Sequence, residues 1–169
     1  MTGRISPSPS PTTPEAYLSG AIEHAADLGK GWRSRMREFL QDTLRHAVYD
    51  PAADEAKDLS PEEQANFRRW KREDPRRFRE TVRKIIAWDL DRIERRSAYL
   101  IALWDGQSAK GGGTAAEITL AHRLGKPVYL VLGMPVEEAS GWVLAAADEV
   151  FSTFEELQAA LSSRYGVDG

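Results

Sequence analysis

The segment Asp105-Gly106-Gln107-Ser108-Ala109-Lys110-Gly111-Gly112-Gly113-Thr114-Ala115-Ala116-Glu117 is the stretch of the chain best equipped for chemistry. Three consecutive glycines let a backbone approach a ligand closely, and at the start of a helix their amides turn toward an electron-rich group. Asp105, Gly111, Gly112, Gly113 and Thr114 are therefore candidate ligand contacts. Glu117, one turn further on, is a carboxylate that can attack an electrophilic carbon. The same residues admit a structural reading, because glycine also serves turn geometry and Thr114-Ala115-Ala116-Glu117 has the form of a capping box. A second carboxylate stands out by phase. Phe78, Val82, Ile85, Ile86, Leu90 and Ile93 form one apolar stripe at helical spacing, and Asp89 falls inside it while Asp91 faces away. With no cysteine in the chain, a covalent nucleophile must be an oxygen. His24, His46 and His122 lack a metal-ligand spacing, so neither a metal nor a cofactor is expected.

The elements needed to position these groups can be read in order. Met1 to Thr13 is dominated by alternating Ser and Pro and is expected as a disordered tail over residues 1–14. Ala16 to Ile22 reads as a buried strand running into a tight turn. Trp32, Met36, Phe39, Leu40 and Leu44 mark a helix, and His46 to Tyr49 a second strand stopped by Asp50-Pro51. Ser60-Pro61-Glu62-Glu63 and Asp74-Pro75 start two further helices, expected as an insertion over about 55–87. Tyr99 to Trp104, the glycine loop, a helix from Thr114 to about Leu124 and a strand from Lys126 to Leu132 together specify a parallel βαβ unit. A last strand is expected at Glu149-Val150-Phe151 and a last helix from Thr153 to Leu161. The ligand crevice of such a sheet lies at the carboxyl ends of its strands, where Tyr17, Trp104 and Leu132 converge.

Composition sets the outer limits. The 169 residues suffice for one domain, taken as 15–165. The longest apolar run, Tyr99 to Trp104, is far short of a membrane span. A net charge of −3 argues against nucleic acid or anionic membrane as the main partner and leaves a small molecule as the default. From residue 60 to 96 there are 12 Lys and Arg against 8 Asp and Glu, a local +4 best read as a solvated helix face. A cytoplasmic location fits the absence of cysteine.

Five landmarks in one order resemble the nucleoside 2-deoxyribosyltransferases and their N-glycoside hydrolase relatives. They are Tyr17-Leu18-Ser19-Gly20, Asp89-Leu90-Asp91-Arg92-Ile93, the strand Tyr99 to Trp104, Gly113-Thr114-Ala115-Ala116-Glu117, and Gly125-Lys126-Pro127-Val128. The resemblance spans about residues 16–132 and implies an α/β, Rossmann-like (flavodoxin-like) three-layer sandwich around a central parallel β-sheet. It also implies cleavage of the N-glycosidic bond of a nucleoside. Glu117 would be the nucleophile, Asp89 the carboxyl group at the leaving base, with Asp91 as the competing choice, and Tyr17 the hydroxyl that holds Glu117. Gly20 would border the substrate. Family members complete their sites across subunits, and Trp32, Trp70, Trp88 and Trp142 exceed what one core needs, so a homodimer or larger homo-oligomer is expected.

The departures are specific. Many relatives begin the strand after Asp89 with Asp, where this chain has Ser97 or Ala98, and carry Ser where Gly111 stands. Relatives that prefer monophosphates have Ser and Arg where Ala21 and Glu23 stand, so unphosphorylated nucleosides are expected here. Two other functions compete. One is a cytokinin-activating type of phosphoribohydrolase, whose glycine turn fits one residue short. The other is a nucleotide-sensing Rossmann-like module without turnover.

Overall fold

A computed structural model describes residues 13–166, so most of the expected Ser/Pro tail lies outside the described residues. The elements in chain order are β1 (Glu15–Ser19), α1 (Lys30–Glu38), β2 (Ala47–Tyr49), α2 (Pro61–Glu73), α3 (Pro75–Arg95), β3 (Tyr99–Trp104), α4 (Gly113–Arg123), β4 (Val128–Leu132), α5 (Gly141–Ala146), β5 (Glu149–Phe151) and α6 (Phe154–Tyr165). A π-helical turn over Phe39–Thr43 continues α1. The five strands form one parallel sheet in the order β2-β1-β3-β4-β5. That is the doubly wound flavodoxin-like order, whose chain direction reverses between β1 and β3 and opens a crevice at their carboxyl ends.

The pleat divides the core into two layers. Ala16, Leu18, Ile101, Tyr129 and Val131 face α1 and α6, where they meet Trp32, Met36, Leu40, Leu157 and Leu161. Tyr17, Leu100, Ala102, Trp104 and Leu130 face the other way, onto Ile93 of α3, Ile118 and Ala121 of α4 and Val143 of α5. Because side chains alternate along a strand, Glu15, Tyr17 and Ser19 all point into this second layer. Their register against β3 pairs Tyr17 with Leu100 and Ser19 with Ala102.

Several boundaries depart from the sequence reading. β1 ends at Ser19, and residues 20–29 form turns before α1. Gly20 is needed there because a Cβ would lie 2.9 Å from the Trp32 ring, and Gly29 because its φ is +71°. The stretch expected as a helical insertion over 55–87 contains α2 and the first part of α3. α3 runs unbroken for 21 residues past Asp89, capped by the Asp74 side chain at its start. Ser60 and Glu63 complete the capping box that starts α2. Of the four tryptophans set aside for an interface, Trp32 and Trp70 are consumed by the protomer's own packing. Trp88 and Trp142 remain 44% and 68% exposed. Among the described residues no helix is long and apolar enough to cross a membrane.

Candidate active site

The carboxyl end of β1 and the first turns of α4 meet at Glu117. Its Oε1 accepts a hydrogen bond from the Tyr17 hydroxyl at 2.7 Å, and its Oε2 accepts one from the Ser19 hydroxyl. The i, i+2 spacing on one face of β1 is what delivers two hydroxyls to one carboxylate. Burial of the group pushes the Glu117 carboxyl up to about 7, with the charge of Asp89 adding to the effect. The two hydroxyl bonds and Arg33 act against it. The residue nevertheless keeps part of its surface open to the cavity described below. Tyr17 is held well above the ordinary phenol range by burial first and the Glu117 charge second, so it stays a donor.

The capping reading of Thr114 and Glu117 does not hold. Gly112 occupies the N-cap of α4 with no side-chain cap, and the Glu117 side chain is bonded across to β1 instead. Nor does turn geometry demand the glycines. Gly111 and Gly112 have negative φ, and no described atom lies within 4 Å of a Cβ placed on Gly112 or Gly113. What their missing side chains leave open is the approach to the helix start from the cavity.

Asp89 is buried on the inward face of α3. Its two oxygens lie 2.9 and 2.7 Å from Lys57 Nζ, and its Oδ1 accepts from the Tyr49 hydroxyl at 2.9 Å. The Tyr49 oxygen also lies 3.1 Å from Asp54 Oδ2, which in turn accepts from the Trp88 indole at 2.9 Å. A phenol has one proton, so the Tyr49 hydroxyl donates to one of these two carboxyl groups at a time. Burial raises the Asp89 pKa, and the Lys57 ammonium opposes that rise. Lys57 and Asp58 carry the segment through the left-handed region at φ 37° and 58°. Each costs roughly 1–2 kcal/mol for an L-residue, so the Lys57–Asp89 ion pair is built against local strain. The Tyr17 and Tyr49 rings, 5.3 Å apart, join the two carboxylate sites.

Arg33 is a second buried cation that organises this end of the sheet, and it is fully inaccessible. It donates to the carbonyl oxygens of Gly20 at 2.9 Å, Gly29 at 3.0 Å and Ala21 at 3.2 Å, and lies 3.5 Å from Asp50. The turn after β1 is thus shaped around a guanidinium fork.

A cavity of about 700 Å³ opens onto Glu117 and Asp89, bordered by Gly20, Lys57, Gly111, Gly112, Gly113 and Thr114. Two expected contacts are not brought to it. Asp91 pairs with Arg95 at 2.5 Å on the solvent face of α3. Asp105 folds back to accept the backbone N–H of Gln107 and Ser108, at 3.0 and 2.8 Å, and so fixes the loop instead of lining the cavity. Glu23 does border it, paired with Lys71 at 2.5 Å, and that partner lowers its pKa. Ser97, just before β3, bonds to Glu15 at the opposite end of the sheet. Sequence reasoning missed Ser19, Arg33, Tyr49 and Lys57. Only Ser19 left a signal, its two-residue offset from Tyr17 on a strand.

No protein-family model and no curated protein sequence matches the chain. Among solved structures, a CMP N-glycosidase of Clostridium botulinum, BcmB, matches with a TM-score of 0.53 at 15% identity. The match covers 89% of this chain and 98% of that one. At that identity the likeness shows a shared α/β fold.

Proposed function

We propose that the protein cleaves the N-glycosidic bond of a nucleoside-type small molecule, with Glu117 as nucleophile. The observation that carries this reading is the Glu117 carboxyl group, held by two neutral hydroxyls and no direct cation in the lining of a cavity that Asp89 also borders. A carboxylate so placed is fixed in position yet retains its nucleophilicity, whereas an ion pair would lower it. Glu117 attacks the anomeric carbon, the C–N bonding electrons leave with the base, and a glycosyl ester forms on Glu117. The Asp89–Lys57 pair faces the departing base and supplies the hydrogen bond or proton that neutralises it. Water, or a second base, then attacks the anomeric carbon and restores the carboxylate.

The fold shared with an enzyme whose name states N-glycoside cleavage supports this reading, as do the five sequence landmarks. That enzyme's stated substrate is a monophosphate. Here Ala21 offers no cation, and Lys71 only offsets the Glu23 charge, so the unphosphorylated nucleoside is the proposed substrate. The Trp88 and Trp142 faces are where a second subunit would dock. Incubation with a panel of ribo- and deoxyribonucleosides, followed by chromatography for free base, tests the reaction. The wild-type protein is expected to release base and Glu117→Gln to release none. A wild-type protein that binds nucleosides but leaves them intact would favour the sensing module.

A further inference from the structure

The cavity extends well beyond its two carboxylates. From Asp89 its wall continues along the same face of α3 through Ile85, Ile86 and Val82 to Phe78. Eleven helical steps of 1.5 Å from Phe78 to Asp89 make that wall about 16 Å long, several times the length of a pyrimidine ring. Phe67 of α2 and Leu59 close the opposite side, because α2 packs against α3 and stands off from the sheet. The volume of about 700 Å³ belongs to the upper part of the range for small-molecule sites.

This wall is apolar and uncovered. Phe67, Phe78, Val82 and Ile85 are only half-buried, and Ile86 is 50% exposed, although all of them face the cavity. Apolar side chains turned inward but left without neighbours gain when an apolar group fills the space between them. The filler must be continuous with whatever meets Asp89, because Asp89, Ile85, Ile86 and Val82 lie on consecutive turns of one helix face.

Resting on the proposed reaction, we infer that the leaving group of the substrate is a nucleobase bearing a bulky apolar substituent. The base sits at Asp89, and the substituent runs along α3 toward Phe78. Asp89 and Lys57 then read the polar edge of the base, while Val82, Ile85 and Phe78 set the preference for what is attached to it. An unmodified base leaves most of the chamber to water.

A matched pair of substrates tests this: adenosine, and adenosine carrying a benzyl group on its exocyclic amine. The full-length protein is expected to cleave the benzylated nucleoside with at least tenfold higher kcat/KM, and Ile85→Asn or Val82→Asn should bring that ratio toward one. Equal or poorer cleavage of the benzylated substrate overturns the inference while leaving the proposed reaction standing. If neither nucleoside is cleaved, the reaction fails for this base, and calorimetry with the free bases decides the chamber separately. Benzyladenine binding at least tenfold tighter than adenine upholds the apolar chamber, and equal binding removes it. If the variants do not fold, the wild-type ratio and the calorimetry decide alone.

Discussion

Glu15, at the amino end of β1, and Glu117, which α4 brings against its carboxyl end, are two carboxylates on the same face of the strand, and they are held in opposite ways. At the amino end of β1, Glu15 meets a full positive charge. Both its oxygens engage the Arg92 guanidinium, one at 2.9 Å, and Ser97 adds a hydroxyl at 3.2 Å. Around it Lys126 donates to the carbonyl oxygens of Ile93, Glu94 and Ser97, closing the end of α3. At the carboxyl end, Glu117 has only two hydroxyls. The first arrangement holds the sheet to α3. The second fixes a carboxylate in place while leaving it electron-rich, and this is the end at which a doubly wound sheet binds its ligands.

Exchange of each glutamate for glutamine is the largest test of that contrast. Glu117→Gln should reduce kcat by about four orders of magnitude, since an amide cannot form the ester. Its effect on stability has the opposite sign. The Glu117 pKa rises from 4.5 to about 7 on folding, so the native state holds the extra proton between those values. Stability therefore falls as pH rises through that window, by about 3 kcal/mol once both states are ionised. Glu117→Gln should melt higher than wild type at pH 8 and near it at pH 4. Glu15→Gln should instead melt below wild type. It leaves Arg92 without its partner, costs about 2–4 kcal/mol in urea unfolding, and keeps turnover within a few-fold of wild type in the protein that remains folded.

Removal of a single donor should give an intermediate effect. Tyr17→Phe preserves the ring contact with Tyr49 but withdraws one hydrogen bond from the ionised Glu117, so its pKa rises further. The acid limb of the wild-type pH–rate profile should have its midpoint near 7, because the nucleophile must be ionised. In Tyr17→Phe that limb should move to higher pH, with a loss of about 10- to 100-fold at pH 6. An unmoved limb would detach Tyr17 from Glu117. At the other carboxylate, Lys57→Met removes the ammonium that holds Asp89 in place and shares the proposed donation to the departing base, and should lower kcat/KM by about tenfold.

The Glu117 side of this contrast was largely legible in the sequence, and the Glu15 side was not. Strand periodicity, the glycine loop and the stripe on α3 located β1, β3, α4 and the inward phase of Asp89, because each is a local pattern. The cations were not legible. Arg33 lies next to Trp32 on a helix rich in arginine, and nothing local distinguishes a guanidinium that folds under a turn from one in water. Lys57 sits in an aperiodic stretch and reaches Asp89 only through two left-handed residues that L-amino acids normally avoid. Asp105 misled for the complementary reason. An Asp before a glycine loop serves a ligand or its own backbone equally well, and here it bonds its own backbone.

The smallest expected effect concerns the rim. Lys71 and Glu23 are both about half-exposed, so their pair is screened by solvent. Lys71→Met should leave Glu23 opposed only by the weaker influence of His24 and Arg68, and raise the preference for a nucleoside over its 5′-monophosphate by about two- to fivefold in kcat/KM. A wild-type preference for the monophosphate of tenfold or more, about 1.4 kcal/mol, would place the 5′ end of the substrate elsewhere.

The most direct test of Glu117 as nucleophile is intact-protein and peptide mass spectrometry after incubation with a slow 2-fluoro-2-deoxy nucleoside. The expected result is a mass gain of one fluorosugar on the wild-type protein, mapped to the peptide containing Glu117 and absent from Glu117→Gln. Release of base from that analogue with no sugar adduct, or an adduct on Asp89, would contradict it.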